Sequence, residues 1–375
     1  MPAVDVLIVG GGPAGSSLGY MLQKSGLDCC IVDKAEFPRK KLCAGLLTQK
    51  TFNIIDEIFG DTTFPRELTT KNISLFLGTQ RLSRVQADSE FYLVDRADFD
   101  FFFVKKYLAA DGLLYENTKV KDVQLSAGCA TLSSGERVNY KVLVGADGAN
   151  SRVRKHVDEK YRPNALCLEF ESPSPVVEEE IQVYFSAARS GYGWCFPKKN
   201  RCTVGVIEDI GVDKDIKTSF STFFQSIGKT IGAENTAAAL VPFGEYVKIP
   251  CRDNVLLVGD AAGFADSLTG EGVYFAFLSA KLASEAILGF ILSKDDLAKS
   301  YLSKVKSIQE KIADGRRFKS LFFNKFTKTF LLNLINGKTN VVKYYYENMI
   351  SHYNMTYFDF VKNYYKARQE RKKSR

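Results

Sequence analysis

The chain has 375 residues, 45% hydrophobic and 25% charged, the composition of a globular protein with room for more than one core of about 100–200 residues. Its eight cysteines form no Cys-x-x-Cys pair, which argues against a zinc or redox-dithiol site and for reduced thiols in the cytoplasm. The formal charge is +8, but residues 316–375 carry nine Lys and five Arg against three acids, so the rest of the chain is net negative and the basic character belongs to the tail.

In chain order, Val4 to Val9 predicts a buried parallel strand, short, β-branched, ended by glycine and too short for a signal peptide. Gly15 to Ser25 predicts a helix stopped at Gly26, and Cys29 to Val32 a second strand, together a βαβ unit. The linking Gly10-Gly-Gly12-Pro13-Ala14-Gly15 has G-x-G-x-x-G spacing in the strand–turn–helix context that gives it meaning. Gly10 permits the tight turn, Gly12 lets the backbone approach a pyrophosphate, and Gly15 lets helix pack on strand. The helix N-terminus offers free N–H groups to phosphates. Asp33 ends the second strand, where an acid can bind both ribose hydroxyls and repels a 2′-phosphate, which disfavours NADP at this site.

Ile73–Leu77, Arg81–Val85 and Glu90–Val94 then predict three short antiparallel strands, and Phe99–Ala110 a helix. Val120–Leu125, Cys129–Leu132 and Val138–Tyr140 predict a meander; Val142–Val144 returns to the buried type and runs into Gly145-Ala-Asp147-Gly148. Strands recur from Tyr161 to Ile249 (Ile181–Phe185, Trp194–Phe196, Thr203–Ile207), with a helix at Ile216–Gly228. Asn254–Val258 is a third buried strand, ended by Gly259-Asp260, and a long helix spans Gly272–Ser293. Lys281 and Glu285 interrupt its apolar run, so no membrane-spanning helix is expected.

Three further motifs, in order and spacing across residues 4–290, make the chain resemble the flavoprotein family of p-hydroxybenzoate hydroxylase and the geranylgeranyl reductases. Asp95-Arg-Ala-Asp-Phe-Asp100 resembles its R-x-x-F/L-D stretch, Gly145–Arg152 its DG motif, and Val258-Gly-Asp-Ala-Ala-Gly263, continuing to Gly270-Glu-Gly-Val273, its GD motif. The resemblance implies an α/β protein. A discontinuous Rossmann-like FAD-binding domain would comprise 1–70, 95–160 and 250–315, and an antiparallel-sheet substrate domain 71–94 and 161–249. A basic helical C-terminal region, 316–375, follows. It implies FAD as cofactor, NAD(P)H or another reductant as electron donor, and no metal. The glycine turn, Asp33, Lys34, Ala44, Gly45, Arg96, Val120 (beside the adenine), Asp147, Asp260, Gly270, Gly272 and Val273 would line the cofactor. Gly272 and Val273 open a helix whose N–H groups can stabilise negative charge on reduced flavin.

Arg39-Lys-Lys-Leu-Cys43-Ala44-Gly45-Leu-Leu47 resembles the K-x-C-G-G-x-L stretch of the geranylgeranyl reductase branch, with Ala44 for its first glycine. Tyr192-Gly-Trp194-Cys-Phe196-Pro197, followed after seven residues by Gly205, resembles that branch's Y-x-W-x-F-P motif; Arg189 and Ile207 depart from its usual Pro and Gly. Within the branch, the bacterial CbrA-like proteins share this size and pattern. Cys43 is a pocket-lining residue or a small core residue; Tyr192, Trp194 and Phe196, alternating on one face, line an apolar channel or form a core stripe. The implied activity is alkene reduction on an isoprenoid or other apolar lipid-like substrate, with Cys43 and Tyr192 as candidate catalytic side chains. The rivals are an FAD-dependent monooxygenase and a non-catalytic flavin-binding redox or interaction protein. A halogenase is disfavoured by the missing W-x-W-x-I-P signature.

In the tail, Phe318, Phe322 and Phe326 recur every four residues beside basic positions. Such a stripe suits either peripheral contact with anionic membrane at the inner face or a helical cap packed on the body. No nucleic-acid module accompanies the charge. The chain is expected to be a monomer or weak oligomer.

Overall fold

The computed structural model describes residues 3–366, apart from 174–178, 214, 229–235, 325–326, 329–331, 333–335, 353–354 and 364–365. Two eight-stranded sheets organise these residues. The first holds β1 (Ala3–Val9), β2 (Cys29–Val32), β6 (Leu113–Tyr115), β7 (Val120–Gln124), β8 (Cys129–Leu132), β9 (Arg137–Gly145), β15 (Cys251–Arg252) and β16 (Val255–Leu257). The second holds β3 (Leu46–Leu47), β4 (Leu68–Leu77), β5 (Gln80–Leu93), β10 (Ala165–Ser172), β11 (Glu180–Tyr184), β12 (Tyr192–Pro197), β13 (Cys202–Asp209) and β14 (Ala237–Val241).

In the first sheet, β16, β9, β1, β2 and β6 run parallel in that spatial order. Their apolar runs are continuous because helices cover the sheet. Val6, Leu7, Ile8, Cys30 and Ile31 are fully buried against α1 (Pro13–Lys24), α5 (Val273–Ser293) and α6 (Leu297–Phe322). α5 is long and apolar enough to cross a membrane, but Phe275, Phe277, Ala280, Ala283 and Ile287 are buried in the protein core. The second sheet is mixed: β11 pairs parallel with β4, and β10, β12, β13 and β14 are antiparallel neighbours. α2 (Gln49–Phe59) and α3 (Arg96–Leu108) join the layers through an aromatic cluster of Phe59, Phe99, Phe103 and Phe277. α4 (Ile216–Ser226) covers the outer face of the second sheet through Phe220, Phe223 and Phe224.

Several expected boundaries shift. The strands expected at 81–85 and 90–94 are one strand, β5, because Glu347 accepts hydrogen bonds from the backbone N–H groups of Asp88 (2.7 Å) and Ser89 (3.3 Å) within its polar stretch. The strands expected at 138–140 and 142–144 are likewise one, β9; Lys141 between them faces outward and pairs with Asp5 at 2.7 Å. α2, β6, β10 and β14 had no individual prediction. α6 runs unbroken through 315/316, so the basic region begins inside a helix. From it, Phe318 turns inward and stacks on Tyr357 (centroids 5.2 Å apart), with Phe322 beside it. The described part of the aromatic stripe is therefore a packed cap; Phe326 lies outside the described residues. Beyond it, α7 (Thr339–Tyr345) and a π-helical turn at Tyr346–Ser351 pack on the second sheet, where Tyr346 meets Phe91 edge-on.

Candidate active site

A cavity of about 1230 Å³ opens between the two sheets. Pockets for one drug-sized ligand span about 300–1,000 Å³, so this one has room for a dinucleotide and a second molecule. Among the residues expected at the cofactor, all but Gly15 lie on its wall. Gly15 sits beneath the turn: a Cβ there would come within 1.8 Å of the Gly10 carbonyl oxygen. Gly10, at φ +106°, likewise leaves no room for a side chain against Ala146.

Two of the helices that begin on the cavity wall, α1 at Gly12 and α5 at Gly272, start without a side-chain cap. Their first N–H groups therefore remain available to anionic groups. Asp33 accepts from the backbone N–H groups of Gly11 (2.8 Å) and Ala35 (2.9 Å), which fixes the loop after β2; its carboxylate has lone pairs left for hydroxyl donors. Asp147 accepts from the N–H of Arg152 at 2.6 Å, while its Oδ1 is buried with no hydrogen-bond partner among the described residues. Two uncapped helix ends, a turn closed to any Cβ and an orphaned carboxylate oxygen on one wall fit a dinucleotide such as FAD.

Arg96 makes a bidentate pair with Asp100 (2.8 and 2.9 Å), both buried, and Arg39 reaches the same carboxylate at 3.3 Å. Sequence reasoning named Arg96 and missed three supports. Arg154 donates to the carbonyls of Ala149 (2.7 Å) and Ala261 (3.1 Å) and so ties the DG turn to the GD turn. Glu271, between Gly270 and Gly272, pairs with Lys50 at 2.6 Å and accepts from Thr48 at 2.7 Å, which anchors the start of α5 to α2. Glu169 lies on the wall of β10, on the face where only apolar residues are expected. Arg154 follows the DG motif by a few residues, the one local signal; the other two depend on partners far along the chain.

Beyond the cofactor walls the cavity becomes apolar. Tyr192, Trp194 and Phe196 share one face of β12, with successive centroids 6.0 and 6.2 Å apart, and all three line it; Pro197 does not. Gly205 is needed opposite them, since a Cβ there would fall 2.2 Å from the Trp194 ring. Val342, Tyr346 and Ile350 close the far side. Cys43 lies where the two regions meet and its sulfur accepts from the Gly45 N–H at 3.4 Å. The Tyr192 hydroxyl donates to the Thr269 carbonyl, and burial pushes its pKa up, so it is poorly placed to give up a proton.

Residues 3–315 match the family described as FAD binding domain. The chain is 27% identical to a geranylgeranyl diphosphate reductase of Rhodobacter capsulatus, over 77% of this chain and 76% of that protein. It is 26% identical to digeranylgeranylglycerophospholipid reductase 2 of Methanosphaera stadtmanae, over 89% of each. The structure of a geranylgeranyl bacteriochlorophyll reductase-like protein from Thermoplasma acidophilum superposes with a TM-score of 0.78 at 21% identity, covering 96% of both chains. Structures of a probable FAD-dependent monooxygenase and of a halogenase share the fold as well.

Proposed function

The chain belongs to the FAD binding domain family, and from that premise we propose that this flavin-dependent oxidoreductase reduces carbon–carbon double bonds of an isoprenoid or similarly apolar lipid. FAD, when bound, supplies the hydride chemistry, with NAD(P)H or another external donor as the source of electrons. The chain's own work is placement. The uncapped ends of α1 and α5 hold anionic groups, and Arg96, fixed by Asp100, sets a buried cation beside them. The aromatic face of β12 aligns an extended hydrocarbon, and the C-terminal turn excludes water from it.

The observation that carries this reading is the continuity of the cavity from cofactor walls into an apolar lobe bounded by Trp194, Phe196, Ile207, Val342 and Ile350. The test is anaerobic. FAD-loaded protein reduced with dithionite is mixed with geranylgeranyl diphosphate, and the products are weighed by mass spectrometry. The expected product gains one H2 per double bond. In a parallel aerobic reaction, oxygen consumption with a hydroxylated product, and no hydrogenated product in the anaerobic one, would make the protein a monooxygenase instead.

The lobe's shape has its own expected outcome. In Gly205→Ala the new methyl meets the Trp194 ring and the Leu168 carbonyl, so the indole must swing into the channel. FAD content should stay at the wild-type level. Turnover should drop on the order of 100-fold, the scale of an ångström-sized misplacement. Absorbance at the flavin band and the anaerobic assay measure the two separately.

A further inference from the structure

β10 alternates as a half-buried strand should. Ala165 and Cys167 face the apolar lobe, and Leu166, Leu168 and Phe170 face the core under α4. The next lobe-facing position is Glu169, a carboxyl 5% exposed on the cavity wall. The Cys43 backbone lies beside it, and its Oε2 has no hydrogen-bond partner among the described residues. An apolar residue would satisfy the pattern, and a buried polar atom left unpaired costs about 1–3 kcal/mol. Departures of this kind collect at functional sites.

The charged surroundings of Glu169 come from four elements. Lys198, buried just after β12, acts on its charge, as do Glu171 two residues along β10 and Arg96 from α3; the Cys167 thiol on its own strand is held neutral by burial and by this carboxylate, and the Cys43 loop lies over it. Lys198 in turn pairs with Glu171 at 3.2 Å, whose side chain is 51% exposed and is also held by Arg201 at 3.3 Å. A polar path therefore leads from the lobe to solvent.

Each alkene reduced takes up a hydride and a proton, and FAD when bound would supply the hydride alone. Resting on that reading, we propose that Glu169 is the proton-holding group of the site. As the neutral acid it gives its proton to the alkene carbon that does not receive hydride from the reduced flavin. The π bond, the carboxyl O–H bond and the flavin N–H bond that carries the hydride would break and two C–H bonds form, so the substrate gains two electrons and the flavin loses two. The carboxylate left behind is stabilised by Lys198 and reprotonated from solvent past Glu171. Burial, opposed by Lys198 and reinforced by Glu171, pushes the carboxyl up to about 7, so both forms are populated near neutrality.

The test has an arm independent of turnover. Infrared spectra of the FAD-loaded full chain should show a protonated-carboxyl band that disappears around pH 7 in the wild type and is missing from Glu169→Gln. With geranylgeranyl diphosphate as probe, Glu169→Gln should lose about 10²–10⁴-fold in kcat, the range for a lost general acid, with KM and FAD content little changed. Glu169→Asp should recover part of the loss. Absence of a titrating band, or a Glu169→Gln protein with wild-type rate and pH profile, overturns the assignment. A wild type that reduces no prenyl substrate sinks the reductase reading, and the donor role with it. An active wild type matched by Glu169→Gln sinks Glu169 alone.

Discussion

Gly15→Val will give a chain that purifies colourless. The position has no space for a side chain. A Cβ would stand 1.8 Å from the Gly10 oxygen and 3.3 Å from the Ala146 methyl, at the crossing of α1, the turn after β1 and the turn after β9. One extra methylene in a packed interior costs about 1–3 kcal/mol, and here three atoms must fit against backbone that cannot rotate away. α1 has to leave the sheet, and its free N–H groups leave the cavity with it. Flavin absorbance per protein, and retention of FAD on gel filtration, should fall to background. Gly26→Ala is the control: its φ of +81° adds strain, but no atom lies within 4 Å of the new methyl, so FAD content should hold.

Arg96→Met should destabilise the protein by about 3–5 kcal/mol, the range for breaking a buried ion pair from one side. Asp100 has no exposed surface, and losing the bidentate partner leaves its charge to Arg39, at 3.3 Å, and to the more distant Lys41. Most of the loss belongs to the stranded carboxylate and little to the attraction itself. The double variant Arg96→Met/Asp100→Leu should therefore recover most of the stability that the single variant loses. Urea unfolding monitored by tryptophan fluorescence measures this, with Trp194 as the sole reporter. Recovery of stability without recovery of FAD affinity would separate the cation's two roles.

What was legible in the sequence was whatever is local. The βαβ unit needs only a β-branched run, glycines at fixed offsets and a terminal Asp33, all within about 30 residues, and β2 falls at its expected bounds, Cys29–Val32. The alternation of Tyr192, Trp194 and Phe196 put three rings on one face for the same reason. What escaped depends on partners far away. β5 looked broken because its polar middle is completed by Glu347, more than 250 residues later. β9 looked broken because Lys141 is neutralised by Asp5 on the adjacent strand. Glu169 gave no local signal, because it is β13 and β14, from later in the chain, that flank its strand. The tail's aromatic period was right where it is described, but period alone does not say whether a stripe meets lipid or protein.

Glu347 has a bearing on how the protein comes into being. It and the turn around it are made more than 250 residues after the strand they complete. A nascent protein can assemble the first sheet, with its glycine turn and the start of α5, well before this hook emerges. The region for the flavin is thus closed first, and the greasy compartment beside it stays unroofed until the Glu347 turn docks. An incomplete product of translation would be yellow but without a sealed chamber, so colour alone is a poor certificate of a finished enzyme.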